Sequence, residues 1–520
     1  MIRSFLTVSS GTLASRLLGF LRDSMIAALL GTGPIADAFL VAFQLVNVIR
    51  RLLTEGALNA ALVPVWLRLR ESEGDAAAAR FAGRVLGTVS AILLLGAVLI
   101  GLLMPFAIAA LAPGFAGRDT LQLSVDDARL MLPYLAFAGP ATVLLALSSA
   151  QGRFVLTAFS PLLFNIALIT VMLVLIFAGT DAGTVALALA ATVGVAGLLQ
   201  LLVLAIRGSG ETVASPLRFS FDSEMRRFLA HAAPGMVASS APQLFAVAGA
   251  IIASASPAAV SWLYFANRLI ELPLGIVGVA MGTVLVPELT RAVRGGDRSA
   301  IAHAESRALE LAVGLALPAT LGLMALSEPI VRLLFEHGAF TEADTVATSR
   351  ALIWLALALP AHVLVKALSP AFFAREDTKA PLSATVTGFV VAITAAVLFG
   401  HLFGASGVAA GIAAGAWSNA LSLIRRGSAA FGFSLDAAAR HRLPRIALAA
   451  LVMGALLWFA ARFVGIFVAD THRLVQALIL LAVIGGGIAV YGLCLTALGL
   501  TGWRELVNAA RRSETGDLRP

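Results

Sequence analysis

The chain has 520 residues, 59% hydrophobic and only 13% charged, with a mean hydropathy of +0.94. Soluble domains carry roughly 25% charged residues, so this composition excludes soluble enzyme folds and predicts an all-α polytopic membrane protein. The apolar runs are long and do not alternate every second residue, which excludes an outer-membrane barrel. A single cysteine, Cys494, leaves no disulfide framework and no cysteine zinc site. The formal charge of +8 raises the question of nucleic acid, and the placement of the charges answers it.

Fourteen runs are long enough to span: 5–30, 35–66, 80–111, 129–152, 158–178, 183–206, 228–254, 258–290, 300–328, 343–374, 380–402, 407–424, 446–468 and 474–500. Several exceed the ~20 residues a crossing helix needs, so tilt or kinks are expected. The first run carries charges and lacks a small-residue cleavage pattern, so it reads as a span and not as a signal peptide. With residues near span ends counted to the adjoining side, six of the 37 Lys and Arg residues remain within spans and only six lie on one side: Arg118, Arg129, Arg332, Arg350, Arg462 and Arg473. The remaining 25 share the side of both termini, including Arg226, Arg227, Arg425, Arg426, Arg440 and Arg442. The positive-inside rule makes that side cytoplasmic. The basic excess is then topology plus contact with anionic membrane lipids, and no nucleic acid is implied.

Two segments recur at a nearly fixed offset. NAALVPVWLRLR (59–70) matches MGTVLVPELTR (281–291), with Pro64 opposite Pro287. LALSSAQGRF and its Pro161 match VKALSPAFFAR and its Pro381. The pattern suggests a duplicated six-span unit, and an even unit keeps its orientation, as in transporters whose substrate site lies between two halves. The expected organisation is an N-terminal lobe at 1–206, a cytoplasmic linker at 207–227 and a second lobe at 228–424. A basic loop at 425–445, two added spans at 446–500 and a cytoplasmic tail at 501–520 follow.

The basic residues inside the spans are Arg16, Arg22, Arg50, Arg51, Arg268 and Lys366. Each Arg at mid-helix costs roughly 2.5–3.5 kcal/mol on insertion scales, so such residues are candidates for function. Side chains three or four apart share a helix face, which offers Glu55 to Arg51 and Glu271 to Arg268. Arg16, Arg22 and Arg50 have no acid at that spacing. Asp23 adjoins Arg22 but is expected to point about 100° away. A guanidinium fork suits phosphate oxygens, so Arg16, Arg22, Arg50 and Arg268 form the predicted anion site. Arg51 and Lys366 read as structural or snorkelling. Asp37 follows Gly31-Thr32-Gly33-Pro34 and is expected either to favour its own helix dipole or to make a gate contact to an arginine. Gly19, between Arg16 and Arg22, reads as a hinge. No Walker motif, HExxH motif or acidic metal cluster is present in the sequence, so neither a metal nor an enzymatic role is expected.

SRLLGFLRD (15–23), ADAFLVAFQLVNVIRRLLTEGALNAALVPV (36–65), SWLYFANRLIELPLGIVGVAMGTVLVPEL (261–289) and VKALSPAFFAREDTKAP (365–381), with APGF (112–115) and GAFT (338–341), resemble the MurJ/MviN family. These are the bacterial lipid II flippases of the multidrug/oligosaccharidyl-lipid/polysaccharide exporter superfamily. The resemblance implies two parallel-repeat six-helix lobes in a V, plus two C-terminal helices that form a lipid-tail groove. It implies a transporter of the bacterial inner membrane that moves lipid II to the periplasmic leaflet by alternating access. The family's essential arginines fall on Arg16, Arg22, Arg50 and Arg268, with Ser15, Asp37, Glu55 and Glu271 as gate or support positions. No organic cofactor is implied; membrane potential with a monovalent cation or proton is the implied driving force, and Asn419 is a weak cation-ligand candidate. The peptidoglycan-synthesis machinery is the implied protein partner. Asn267 stands where the family usually carries Asp, which argues against a coupling acid there.

Four other readings compete. An O-antigen-type flippase shares the pyrophosphate carrier, whereas a cationic-drug exporter would need an acidic site. A membrane scaffold leaves the intramembrane arginines without a purpose, and a membrane transferase lacks its acidic cluster.

Overall fold

Hydrocarbon leaves a backbone no water to bond, so a chain of apolar runs must satisfy its peptide groups within helices. The computed structural model describes residues 2–54, 57–208, 214, 217–223, 225–230, 241–280, 298–373, 375, 377–431, 436–468 and 472–500. Among the described residues there is helix and no strand. Nine helical stretches among them are long and apolar enough to cross a membrane, which makes this a multi-pass membrane protein.

The helices are α1 (Ile2–Leu30), α2 (Pro34–Thr54), α3 (Ala57–Glu73), α4 (Asp75–Leu102), α5 (Met104–Leu111), α6 (Asp119–Met131), α7 (Pro133–Ala150), α8 (Phe154–Ala178) and α9 (Ala182–Gly208). They continue with α10 (Ala241–Ala253), α11 (Ala259–Ala280), α12 (Arg298–Ala325), α13 (Ser327–Phe335), α14 (Glu342–Ala356) and α15 (Ala358–Phe373). The last are α16 (Lys379–Phe431), α17 (Ala437–Val468) and α18 (Arg473–Ala497).

The expected kinks have local causes. The run 80–111 is divided between α4 and α5 at Leu103, with Pro105 in the first turn of α5. The fourth span starts ten residues earlier than expected, at Asp119, and passes from α6 to α7 at Pro133. Proline lacks an N–H, so it is tolerated in a first turn and redirects the chain there. The run 35–66 is shared by α2 and α3, and Pro64 lies within α3. Its repeat counterpart Pro287 lies outside the described residues.

The two runs 380–402 and 407–424 both lie in α16, which turns at Gly404 (φ 58°, ψ −138°). That left-handed conformation is open to glycine without a Cβ penalty. The arm after the turn then lies against the one before it. A Cβ at Gly407 would overlap the carbonyl of Phe399, and one at Gly411 would overlap the backbone of Ala396. Two small residues four apart bring helices into backbone contact, the usual device for packing helices in lipid.

The chain forms two compact units. One holds Met1–Arg268, Phe335–Ala347 and Ala392–Ile412; the other holds Leu269–Leu334, Thr348–Val391 and Ala413–Pro520. In the first, α1 lies along α8, α2 along α6, and α7 along α9 and α4. Leu62, Trp66, Phe81, Val85 and Leu147 fill a buried cluster between α3, α4 and α7. In the second, α12 packs on α15 and α17, and α17 on α18. Gly454 receives Leu321, Gly487 receives Leu457, and the Tyr491 hydroxyl donates to the Gly314 carbonyl at 2.8 Å.

Gly411→Val should overpack the α16 turn and cost about 1–3 kcal/mol, as added methyl groups in tight contacts do. The purified variant should show a lower unfolding midpoint in detergent. An unchanged midpoint would mean that the two arms are not held in contact.

Candidate functional site

The site starts with two stripes on α1. Leu13, Leu17 and Leu21 recur every four residues and are exposed, as befits an apolar face turned to lipid. At 100° per residue, Ser15, Gly19, Arg22 and Asp23 fall away from that stripe, with Arg16 at its flank. A soluble helix places its charges outward; here they turn inward, toward α8.

Arg22 and Asp23 are both buried, Asp23 completely. The Arg22 Nε and NH2 groups donate to Asp23 Oδ1 at 2.9 and 2.6 Å, which corrects the expectation that Asp23 points away. The 100° offset applies to the Cα–Cβ bonds, and the long arginine side chain closes it. Arg22 NH1 donates to Asn165 Oδ1 on α8 at 3.0 Å, and Asn165 Nδ2 donates to the Ser15 carbonyl at 3.1 Å. Ser15 thus contributes its backbone to this contact.

The second oxygen of Asp23 meets Arg268 from α11, Nε to Oδ2 at 2.5 Å. One carboxylate is therefore shared by two guanidinium groups, and the three side chains carry a formal charge of +1. Tyr264, one turn before Arg268, points its hydroxyl at Asp23 Oδ1 from 3.4 Å. Gly19 makes room for this approach, since a Cβ there would lie 2.6 Å from Arg268 NH2. Its role in this structure is space for the guanidinium, where the sequence suggested a hinge. The Asn267 substitution leaves Arg268 with an acid neighbour, because Asp23 supplies one from α1.

Arg50 joins through an aromatic wall. Its guanidinium lies 6.0 Å from the Phe164 ring centre, and that of Arg22 lies 5.7 Å from the same ring and 5.1 Å from Phe43. Ring faces attract cations, and more strongly where water is excluded. Arg50 also donates to Asn47 Oδ1 at 3.1 and 3.2 Å. Arg16 is half-buried on α1, and Glu271 is half-buried one turn beyond Arg268. Glu55 and the Arg51 side chain lie outside the described residues. Lys366 is exposed on α15. Asn419 is buried in α16, and its Oδ1 has no hydrogen-bond partner among the described residues.

A second cluster ties the helix ends. Asp37 stands in the first turn of α2, as expected, but its carboxylate serves another helix. It accepts Ala258 N–H at 2.8 Å, Ser261 N–H at 2.9 Å and the Ser261 hydroxyl at 2.5 Å. These are the free donors at the start of α11, normally capped by a local side chain. Ala258 is left-handed (φ 63°), a conformation costing an L-residue ~1–2 kcal/mol, and Asp37 holds it.

Asp344 binds beside it. It accepts the Thr32 hydroxyl at 2.6 Å and Trp262 Nε1 at 3.0 Å, and on its other oxygen Thr341 N–H at 2.9 Å and hydroxyl at 2.7 Å. The Ala339 N–H donates to the Ala28 carbonyl at 2.8 Å, and Gly338 is left-handed (φ 57°) where a Cβ would overlap that carbonyl. Sequence reading singled out GAFT as a motif without its purpose. Thr341 with Asp344 three residues on is a capping-box signature that marks it.

These ties bring together the end of α1 and the starts of α2 and α11. At 1.5 Å per residue, Arg22 and Arg268 lie about 12 and 14 Å along their helices from that closure. Arg16 and Arg50 lie about 21 and 24 Å from it. The four arginines therefore fall into two tiers about 10 Å apart. The first tier is joined directly through Asp23, and Arg50 in the second is linked to it by Phe164.

Comparison with known proteins is consistent across sequence and fold. The sequence model of the lipid II flippase MurJ family matches residues 26–476. A probable lipid II flippase MurJ of Rhizobium meliloti (strain 1021) is 38% identical over 500 residues, covering 94% of this chain and 92% of that protein. The protein of the same description in Rhizobium tropici is 35% identical, over 89% and 88% of the two chains. A solved structure of lipid II flippase MurJ in an inward closed conformation superposes with a TM-score of 0.75 at 23% identity, covering 96% of this chain and all of that one. An inward-facing multidrug resistance MATE transporter of the MOP superfamily follows, with a TM-score of 0.66 at 18% identity over 83% and 95%.

If Asp37 holds the start of α11, Asp37→Ala should leave buried N–H donors unmet at about 1–3 kcal/mol each. Asp37→Asn keeps one acceptor and should cost less. Unfolding midpoints in detergent give the order, and equal midpoints for the two variants and the parent chain would remove the capping role.

Proposed function

The chain belongs to the lipid II flippase MurJ family, a family of transporters, and from that premise we propose that it carries lipid II through a cationic site built on Arg16, Arg22, Arg50 and Arg268. The observation that carries the reading is the sharing of Asp23 by Arg22 and Arg268. Two guanidinium groups sharing one acid are net positive as a set, and the oxygens of a pyrophosphate suit bidentate arginine.

The proposed cycle uses both tiers. Arg16 and Arg50 receive the pyrophosphate from the cytoplasmic side, and Arg22 with Arg268 take it toward the closure. There its oxygens compete with Asp23, loosening the tie between α1 and α11. Opening beyond that point requires release of the Asp37 and Asp344 contacts. Ser15, Glu55 and Glu271 support the site in this reading. The polyprenyl tail stays in lipid against the added helices, and the exposure of Leu474, Leu478, Leu481 and Ile488 on α18 suits that role.

The proposal places the chain in the bacterial cytoplasmic membrane with both termini inside, in two six-span lobes plus two helices. The membrane potential would drive return of the empty cationic site, with a monovalent cation or proton as coupling ion. Contacts to anionic lipids and to the peptidoglycan-synthesis machinery belong to the same reading.

The test uses cells depleted of their own flippase and supplied with this chain. An impermeant hydrolase outside the cytoplasmic membrane reports the fraction of lipid II that it can reach. Wild type should restore that fraction, while Arg22→Ala and Arg268→Ala at equal expression should lower it at least about tenfold, the effect of ~1.4 kcal/mol. Restoration by both variants would remove the arginines from the site. A wild-type chain that inserts and restores nothing would point to another polyprenyl-pyrophosphate substrate, such as an O-antigen precursor.

A further inference from the structure

Residues 217–223 form a strap, non-helical through Asp222, fastened along the N-terminal half of α4. Ser220 is held twice by Thr88, its N–H donating to Thr88 Oγ1 at 3.1 Å and its carbonyl accepting from that hydroxyl at 3.0 Å. Gly87 lets the strap lie flat, since a Cβ there would be 2.6 Å from the Arg218 carbonyl. Asp222 fixes the far end: it accepts from Arg84 NH1 at 2.9 Å, from the Ser220 hydroxyl at 2.7 Å and from Met225 N–H at 2.8 Å. Those bonds, the Met225 N–H first, hold its carboxyl below the usual carboxylate range, so the fastening is ionised at neutral pH.

With Ser220 turned in, alternation turns Leu217, Phe219 and Phe221 out. They are 66%, 65% and 56% exposed, and the two rings stack on each other at 6.5 Å. Three large apolar side chains on a fastened strap are a costly surface in water. Their position says what covers them. On α4, positions 87, 94, 98 and 102 fall along one stripe, and 88, 95 and 99 along its neighbour. Leu94, Leu95, Val98, Leu99 and Leu102 on these stripes are all exposed, the lipid face of a spanning helix. The strap therefore sits on the lipid-facing side of α4, about 10 Å before the first of those leucines. Arg218 lies on the strap, Arg226 and Arg227 follow it, and Arg80 and Arg84 stand on α4 in the two turns before Gly87, so the neighbouring sequence is basic.

We infer that the 217–223 strap is an interfacial anchor, inserting Leu217, Phe219 and Phe221 among the headgroups of an anionic leaflet while Arg218 and the neighbouring Arg226 and Arg227 pair with lipid phosphates. Apolar side chains buried at the acyl boundary beside basic residues are how peripheral segments bind such surfaces. The strap lies in the stretch 207–227 that the sequence suggests as the linker between two repeats, and in that arrangement the anchor would fix the linker at constant depth while the helices move. The inference depends on α4 being a span and not on which substrate is carried.

The experiment uses the full chain with Cys494→Ser, which removes the only cysteine. A bimane fluorophore is attached at Phe219→Cys in one protein and at Leu217→Cys in another, which keeps both rings. Each is reconstituted in vesicles of phosphatidylglycerol and phosphatidylcholine. Nitroxides near the headgroup should quench both probes about twofold or more above nitroxides at the chain end, with aqueous iodide weak. Replacing phosphatidylglycerol by phosphatidylcholine should weaken the headgroup quenching. Strong iodide quenching with no lipid quenching at either position would overturn the anchor. Loss of both kinds of quenching would also overturn it, by showing the strap covered by protein.

Discussion

The structure turns on a carboxylate with no water around it. Asp23 is fully buried in a helix that must also face hydrocarbon, and it is tolerable there because Arg22 and Arg268 meet both of its oxygens. The converse holds for the arginines: without Asp23 they would be two like charges facing each other at the same depth. Removing one member of such a buried set typically costs 3–5 kcal/mol because it strands the others. Much of the surroundings follows from this constraint. Gly19 is small because a guanidinium passes over it, Asn165 turns its oxygen to Arg22, and Phe43 and Phe164 offer ring faces.

The closure at the helix ends is built from a different kind of bond, and the difference bears on function. Asp37 and Asp344 accept N–H and O–H donors and, among the described residues, hold no arginine. Charged acceptors on neutral donors make short, directional bonds that depend on register. Left-handed Ala258 carries a Cβ penalty that is offset only while those bonds hold. In the proposed cycle the arginine tier senses an anion through charge, whereas the closure yields by losing register. The two are connected through α1 and α11, whose ends enter the closure and whose middles carry the charges.

The sequence made the polytopic helical class legible, because thermodynamics in lipid leaves few alternatives to long apolar helices. It also singled out Arg22, Arg50 and Arg268 from the cost of intramembrane charge. What it missed is long-range. The 100° rule treats side chains as directions, so it misjudged Asp23, which an adjacent flexible arginine can reach. It offered Arg268 the acid Glu271 on its own helix, and the structure adds Asp23 from more than 240 positions away. Asn165 was open to notice as an amide in a strongly apolar run, and Thr341 with Asp344 as a capping pair. Asp37 was correctly placed in the first turn of α2, but no periodicity could say that it caps α11.

The span boundaries show the same division between local and distant causes. Pro105 and Pro133 redirect helices by their own chemistry, and such turns are readable once the run length demands a kink. The turn at Gly404 is readable less from that residue than from Gly407 and Gly411, whose spacing anticipates a close partner without naming Phe399 and Ala396. Glycine has two distinct uses here: a left-handed corner at Gly404, and missing volume at Gly19, Gly407 and Gly411. In a chain with 47 glycines, the identity of the residue is uninformative until its neighbour is known. The missing volume at Gly19 is the one that matters for charge, because any side chain there would push Arg268 off Asp23. The geometry of the cationic tier thus rests as much on an absent methyl group as on the guanidinium groups themselves.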